Sequence, residues 1–508
     1  MSDLVLAIDL GTGGPKVALV EETGSVLDYE AHRVATVLDE RGAATQDAVE
    51  WWDLVRAAAA RLTGAHPRGR VVGVAVTGQY ASTVPVDANG VPTGPCLTWL
   101  DTRGGPHARA AVGGPIQGYH PRKALRFIRV NGGAPSTSGA DPVGQILYLI
   151  RDEPELVART RWFLEPVDYL TMRLTGVASA THASRLALWM TDNRNLAHLD
   201  YDAGLLGLAG LDATKLPPLL AFGDVVGRVT SDVAAELGLS RDALVVTGMP
   251  DLHAAAIGAG ATAPYATHLA LSTTSWVSCP VPTKKTDALH SIATVPGLSN
   301  DSYLVINNQE TGAGALDWLR RLLGASDYET LTRIAATSPP GARGVRFRPW
   351  LAGERSPAED KSVRASFANL SLATDASDLV RAVLEGVAAN SAWLFGHVEA
   401  FTKRRLEPVR LLGGGAQSDL WAQIYADTLN RRIERVEDPL VAQVRGAAML
   451  AWSRVRARPL EEFVATPAVT VFEPVLPDVY RELVAELPRT FRAQSRANRR
   501  AKRGARSA

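Results

Sequence analysis

The chain reads as an α/β protein built from two related halves, and three observations predict this. Buried-strand signals alternate with helical ones along its length. A strand–turn–strand design at Leu4–Val20 recurs at Thr267–Cys279, where it opens a second unit. A late strand, Val409–Leu412, ends in Gly413-Gly414-Gly415-Ala416 and leads into a helix.

Each element follows from its pattern. Leu4–Ile8 is a continuous apolar run, expected to be a strand buried on both faces. Asp9 to Lys16 then forms a glycine-rich turn, and Val17–Val20 returns as a second strand. Val49–Leu62 is predicted to be helical, with Trp52, Val55, Ala59 and Leu62 at helical spacing. Val71–Val76 is another buried strand and ends in Thr77-Gly78-Gln79-Tyr80. Tyr148–Leu174 and Asp232–Leu237 have mostly helical patterns. Val245–Thr247 closes a strand onto Gly248-Met249-Pro250-Asp251, and Ala254–Ala256 opens a helix. In the second half, Leu420, Trp421, Ile424, Ala426 and Leu429 mark one helix, and Gly446–Val455 a buried one. From Arg489 to Ala508 there are eight basic residues and no acidic one, with no apolar face. That stretch is expected to be a disordered, solvated tail. The resulting domain expectation is 1–260, 261–485 and a tail from 489 to 508.

With 508 residues the chain has room for about three ordinary units or two large ones. Hydrophobic residues at 46% and charged ones at 21% exclude a disordered or collagen-like chain. Without the basic tail the remainder carries −7, so a nucleic-acid partner is not expected. Cys96 and Cys279 show no CxxC spacing, against a zinc ribbon or a disulfide framework. The first residues lack a basic leader region and soon meet Asp9, and no run approaches the ~18 apolar residues of a membrane span. The expectation is a soluble cytoplasmic protein without a membrane partner.

Four segments can carry chemistry. Asp9, Gly11, Thr12 and Lys16 share one turn, where backbone N–H groups and a lysine suit phosphate and a carboxylate suits hydrated magnesium. The turn lacks the GxxxxGK[ST] spacing, and a solvated hairpin turn is the competing reading. Ser272-Thr273-Thr274-Ser275 offers hydroxyls at a strand end, which is also an ordinary edge-turn composition. The glycines at 413–415 let a ring or a phosphate approach the backbone at a helix start. Asp251 suits either a helix N-cap or a general base for a substrate hydroxyl, with His253 ranked behind it. Gln79 and Trp99, Asp101 and Arg103 can hydrogen-bond and stack against a polyol, or make a structural ion pair. Gly353–Pro357 reads as a charged, cleft-lining or domain-bridging loop.

The order of these segments resembles the FGGY family of carbohydrate kinases, its xylulokinase-like members more than its glycerol kinases. The resemblance runs from Leu4 to Tyr480. It is carried by Asp9–Lys16, Gly78-Gln79, Trp99–Arg103, Pro166–Leu170, Leu174–Gly176, Gly248–Asp251, Thr274-Ser275, Gly353–Pro357, Arg381–Gly386, Gly413–Ser418 and Gly446–Ala448. It implies two ribonuclease H-like domains of the actin-like ATPase type, with ATP and a small carbohydrate meeting in an interdomain cleft. It implies Asp251 as catalytic base. ATP contacts fall on Thr12, Gly13, Lys16, Thr274, Gly414, Gly415 and Asp419, and sugar contacts on Gln79, Tyr80, Ala81, Trp99, Asp101 and Asp251. Mg2+ would sit near Asp9 through water, and a homodimer is compatible with the family. The chain departs from the family at Tyr80-Ala81-Ser82, where xylulokinases have Met-His-Gly, and at Gln145, which aligns with a lysine. Thr273 and Trp276 flank Thr274-Ser275, and Gly13-Gly14 stand where hydroxyls are common. The implied activity is ATP-dependent phosphorylation of a hydroxyl on a pentulose or related sugar. A weakly catalytic sugar sensor and an actin- or chaperone-like ATPase are the alternatives.

Overall fold

A computed structural model of the chain describes residues 2–116, 118–464 and 469–507. Seven strands make the first sheet: β1 (Ser2–Gly11), β2 (Gly14–Val20), β3 (Val26–Ala31), β4 (Gly69–Gly78), β5 (Val225–Arg228), β6 (Leu244–Val246) and β7 (Met249–Pro250). Their order is β5-β6-β4-β1-β2-β3, with β7 alongside the end of β4. β1 is parallel to β4 and antiparallel to β2, and β6 continues the parallel core. The opening apolar run is buried on both faces, as its sequence predicts. Leu4, Leu6 and Ile8 point into one core, against Trp51, Trp52 and Val55 of helix α1 (Ala48–Ala65). Val5 and Ala7 point into the other. Period-2 alternation between two apolar layers is why no polar residue interrupts the strand from Leu4 to Ile8.

Helices α2 (Pro142–Asp152) and α3 (Pro166–Thr175) overlap the span Tyr148–Leu174 read as mostly helical, α2 starting six residues before it. The structure interrupts that span with a strand, Trp162–Leu164, which pairs with Val84–Val86. Three residues are too few to announce a period.

The second sheet repeats the plan of the first. Its strands are β8 (Thr267–Leu271), β9 (Ser275–Ser278), β10 (Val409–Leu412), β11 (Ile433–Val436) and β12 (Val469–Phe472), in the order β9-β8-β10-β11-β12. β8 turns back on itself as β9 and runs parallel to β10, which runs parallel to β11. This is the arrangement of β1 with β2, β4 and β6.

Between the sheets lie α4 (Asp251–Gly258) and α8 (Ala442–Val455). Both are buried nearly all round, α8 chiefly against the first sheet although in sequence it lies between β11 and β12 of the second. A Cβ on Gly258 would stand 1.7 Å from the Ala442 carbonyl oxygen, and one on Gly446 2.0 Å from that of Ala254. Only glycine permits this backbone-to-backbone crossing. It brings the two helices into direct backbone contact, and Lys284 and Thr286 of the second half add bonds to the Ile128 and Gly132 carbonyls of the first.

The second lobe is completed by α5 (Gly314–Leu323), α6 (Ala376–Thr402), α7 (Asp419–Leu429) and α9 (Pro477–Ser507). The last of these corrects the tail expectation. Residues from Arg489 continue a helix begun at Pro477, and its spacing buries Leu487, Phe491 and Ser495. Phe491 packs edge-on to Trp350 at 5.1 Å, and Ser495 Oγ donates to Asp360 Oδ2 at 2.5 Å. The apolar stripe starts before Arg489, so a reading that begins there misses it. Ala508 and the side chains beyond Ala501 lie outside the described residues. No helix among the described residues is long and apolar enough to cross a membrane.

Candidate active site

Strand register assembles the first half of the site. Leu10 pairs with Gly78, and Gly78 with Pro250, so β1, β4 and β7 end together. Asp9, Gln79 and Asp251 therefore collect at the carboxyl end of parallel strands, where open α/β sheets bind ligands. Asp251 is the first helical residue of α4, and Pro250 occupies the N-cap position. The N-cap reading of Asp251 is thereby corrected. Burial, with the charge of Asp9 added, pushes its carboxyl up to about 7.

Asp9 is itself buried, and burial raises its carboxyl against the opposing pull of Lys16. The register of the β1–β2 hairpin sets Lys16 directly across from Asp9, with Nζ 4.0 Å from Oδ2. Lys16 Nζ also donates to the Leu440 carbonyl at 2.8 Å, two residues before α8. One lysine thus spans both lobes.

The hairpin tip is tied to the segments read as sugar-contacting. Trp99 Nε1 donates to Thr12 Oγ1 at 3.0 Å, and Thr12 Oγ1 donates to Gln79 Oε1 at 3.4 Å. Gln46, which the sequence did not mark out, closes the ring by accepting from Gln79 Nε2 and donating to the Thr12 carbonyl. Gly13 stands exposed at the tip. Tyr80 is largely enclosed, and burial with the nearby charge of Asp251 raises its phenol, Arg355 opposing. Ala81 holds the left-handed backbone at φ 62°. Asp101 is fully buried, and its oxygens accept from Arg103 Nη2 at 2.6 Å and from the Ala44 and Arg103 amides at 3.1 Å. That carboxylate is engaged in holding two loops together.

The second half forms at the tip of the β8–β9 hairpin. Thr274 is half-buried there, and its carbonyl accepts from Ser272 N at 3.0 Å. Gly413, at φ 95°, brings its turn so close that a Cβ would stand 2.6 Å from the Leu271 carbonyl oxygen. Gly414 is exposed and Gly415 buried beside it. Asp419 opens α7 and pairs with Arg435, its side chain 75% exposed.

Sequence reading missed Thr311-Gly312-Ala313-Gly314. The Gly312 and Ala313 amides donate to the Thr273 and Ser272 carbonyls at 2.8 and 2.7 Å, bracing the hairpin tip from beneath. Two glycines ahead of a helix were the available signal, the same one read at 413–415. Below this turn the charged Gly353–Pro357 loop buries Glu354, which accepts from Asn390 Nδ2 at 2.7 Å and from the Glu310 and Arg355 amides. Arg355 and Lys361 pair with Glu310 at 2.9 and 2.6 Å.

Two lobes of one plan thus face each other with glycine-rich turns, a carboxylate pair and a lysine between them. Known families decide what that arrangement belongs to. The N-terminal domain of the FGGY family of carbohydrate kinases matches residues 4–258, and the C-terminal domain of the same family matches residues 271–454. The chain belongs to the FGGY family of carbohydrate kinases. It is an ATP-dependent sugar kinase. Among its relatives, a xylulose kinase of Staphylococcus epidermidis is 27% identical over 485 residues, covering 93% of each chain. A gluconokinase of Bacillus subtilis is 24% identical over 444 residues, covering 85% of this chain and 84% of its own. The crystal structure described as a xyloylose kinase from Brucella ovis superposes with a TM-score of 0.85 at 25% identity, covering 96% and 99% of the two chains.

Proposed function

We propose that this FGGY kinase transfers the γ-phosphoryl group of ATP to a hydroxyl of a pentulose or a closely related small carbohydrate, with Asp251 as general base. The observation that carries the reading is the convergence of Asp251, Asp9 and Lys16 at the strand ends between the lobes. The acceptor hydroxyl gives its proton to the Asp251 carboxylate as its oxygen bonds to the γ-phosphorus. The bond to the β–γ bridging oxygen breaks, and ADP leaves with the electron pair. Thr12, Gly13, Lys16 and Thr274 hold the phosphates, while Gly414, Gly415 and Asp419 flank the adenosine. Gln79, Tyr80, Ala81 and Trp99 line the sugar, with Asp101 fixing their loop. The proposed division into units is 1–260 and 261–485.

Asp9 fits a hydrated divalent cation. It is a buried carboxylate with a second carboxylate nearby; burial raises its pKa, and Lys16 at 4.0 Å offsets that rise in part. Magnesium, when bound, neutralises phosphate charge. Xylulose kinases among the relatives support a ketopentose acceptor, and the gluconokinase relative makes an aldonate the comparison to run. ADP release measured across ketopentoses, aldoses, polyols and aldonates tests the reading. A ketopentose is expected to give the highest kcat/KM, and ATP turnover indifferent to every carbohydrate would overturn it.

A further inference from the structure

Gln145 lies on α2, outside every segment assigned a role above, and has no solvent exposure. Its amide makes three hydrogen bonds. Nε2 donates to the Ala81 carbonyl at 3.1 Å and to the Thr98 carbonyl at 2.9 Å, and Oε1 accepts from Thr83 Oγ1 at 2.7 Å. Two carbonyls require the NH2 group on their side, which fixes the orientation of the amide. Ala81 belongs to the loop after β4 that carries Tyr80, and Thr98 immediately precedes Trp99. One buried side chain therefore joins the two loops that face the acceptor.

The join bears on strain. Ala81 holds a backbone conformation that residues with a Cβ seldom adopt, and such positions persist only where their surroundings enforce them. Gln145 holds the carbonyl of that residue. Ser82, next along, is gripped as well: its amide donates to Glu165 Oε2 at 3.1 Å, and its hydroxyl accepts from Trp99 N at 3.1 Å.

We propose that Gln145 is a positioning residue that clamps the Gln79–Ser82 loop to the Thr98–Trp99 segment and so sets sugar affinity without touching sugar or nucleotide. The inference rests on the kinase reading and adds to it the element that shapes the acceptor side. Releasing the clamp lets Ala81 relax to negative φ and carries Tyr80 out of place.

Gln145→Leu keeps the volume and removes all three bonds, and it is compared in Ala81 and Ala81→Gly backgrounds. Sugar KM is expected to rise about tenfold or more while ATP KM stays within about twofold. The rise should shrink when residue 81 is glycine, which holds positive φ without strain. Equal changes in both KM values, or the same rise in both backgrounds, would overturn the proposal. Should Gln145→Leu fail to fold, Thr83→Val frees Oε1 alone, and a sugar-specific rise of about threefold is expected. An unchanged sugar KM in that variant would likewise refute it. A wild type that phosphorylates no carbohydrate refutes the kinase reading instead. Amide hydrogen exchange then reads the clamp: faster exchange at residues 79–83 and 98–101 in the variant supports it, and unchanged protection refutes it.

Discussion

The two hairpin tips share a topology and differ in chemistry. At the first, Asp9 and Lys16 face each other across β1 and β2, and register brings Asp251 alongside. At the second, the equivalent tip offers Ser272, Thr273 and Thr274, braced by glycine turns from two other segments. Charge lies at one tip, and hydroxyls and bare backbone at the other. A duplicated fold can divide phosphoryl transfer this way: one copy supplies groups that act on the reacting centre, and the other supplies a surface that a nucleotide can approach closely.

Breaking the charged side should cost most. Asp251→Asn keeps shape and removes the base, so kcat is expected to fall about 10²–10⁴-fold. Nucleotide affinity, read by ADP titration calorimetry, should be retained. An active variant would move the catalytic centre elsewhere. Lys16→Ala should come next, lowering kcat/KM for ATP about 10–10²-fold by removing a phosphate charge and a cross-lobe bond to Leu440. Steady-state kinetics with ATP varied check this, and a loss confined to sugar KM would contradict the assignment. The hydroxyl side should respond more mildly. A Cβ on Gly312 would stand 2.5 Å from the Thr274 carbonyl oxygen. Gly312→Ala is therefore expected to raise ATP KM roughly 3–10-fold by displacing the second tip. Raised sugar KM with ATP KM intact would erase the proposed division between the lobes.

Legibility in the sequence followed the same line. The strands of both hairpins were readable because each is apolar and bounded by a polar, glycine-rich turn. Asp251 was readable as a carboxylate at a strand-to-helix junction, although setting aside the cap reading needed Pro250 placed at the N-cap. What escaped depends on partners distant in sequence. Gln46 closes a ring through Thr12 and Gln79 but lies in no distinctive local pattern, and Gln145 stood out only as a replacement for a family lysine, with no sign that it joins two loops. The last helix escaped because its anchors, Leu487 and Phe491, straddle the point where basic composition begins to dominate. Asp101 shows the converse. Its residue type suited a sugar, while the fold commits its oxygens to Arg103 and Ala44.

The central claim is that the Asp251 carboxylate, held near neutrality by burial and by Asp9, takes the acceptor's proton. Only the ionised form can accept a proton, so activity must fall as pH drops below its pKa, tenfold per unit. The pH dependence of kcat/KM for the carbohydrate, followed from pH 5 to 9, measures this directly. The account predicts an acid limb of unit slope bending near pH 7, whereas a flat profile between pH 5 and 7 would contradict it.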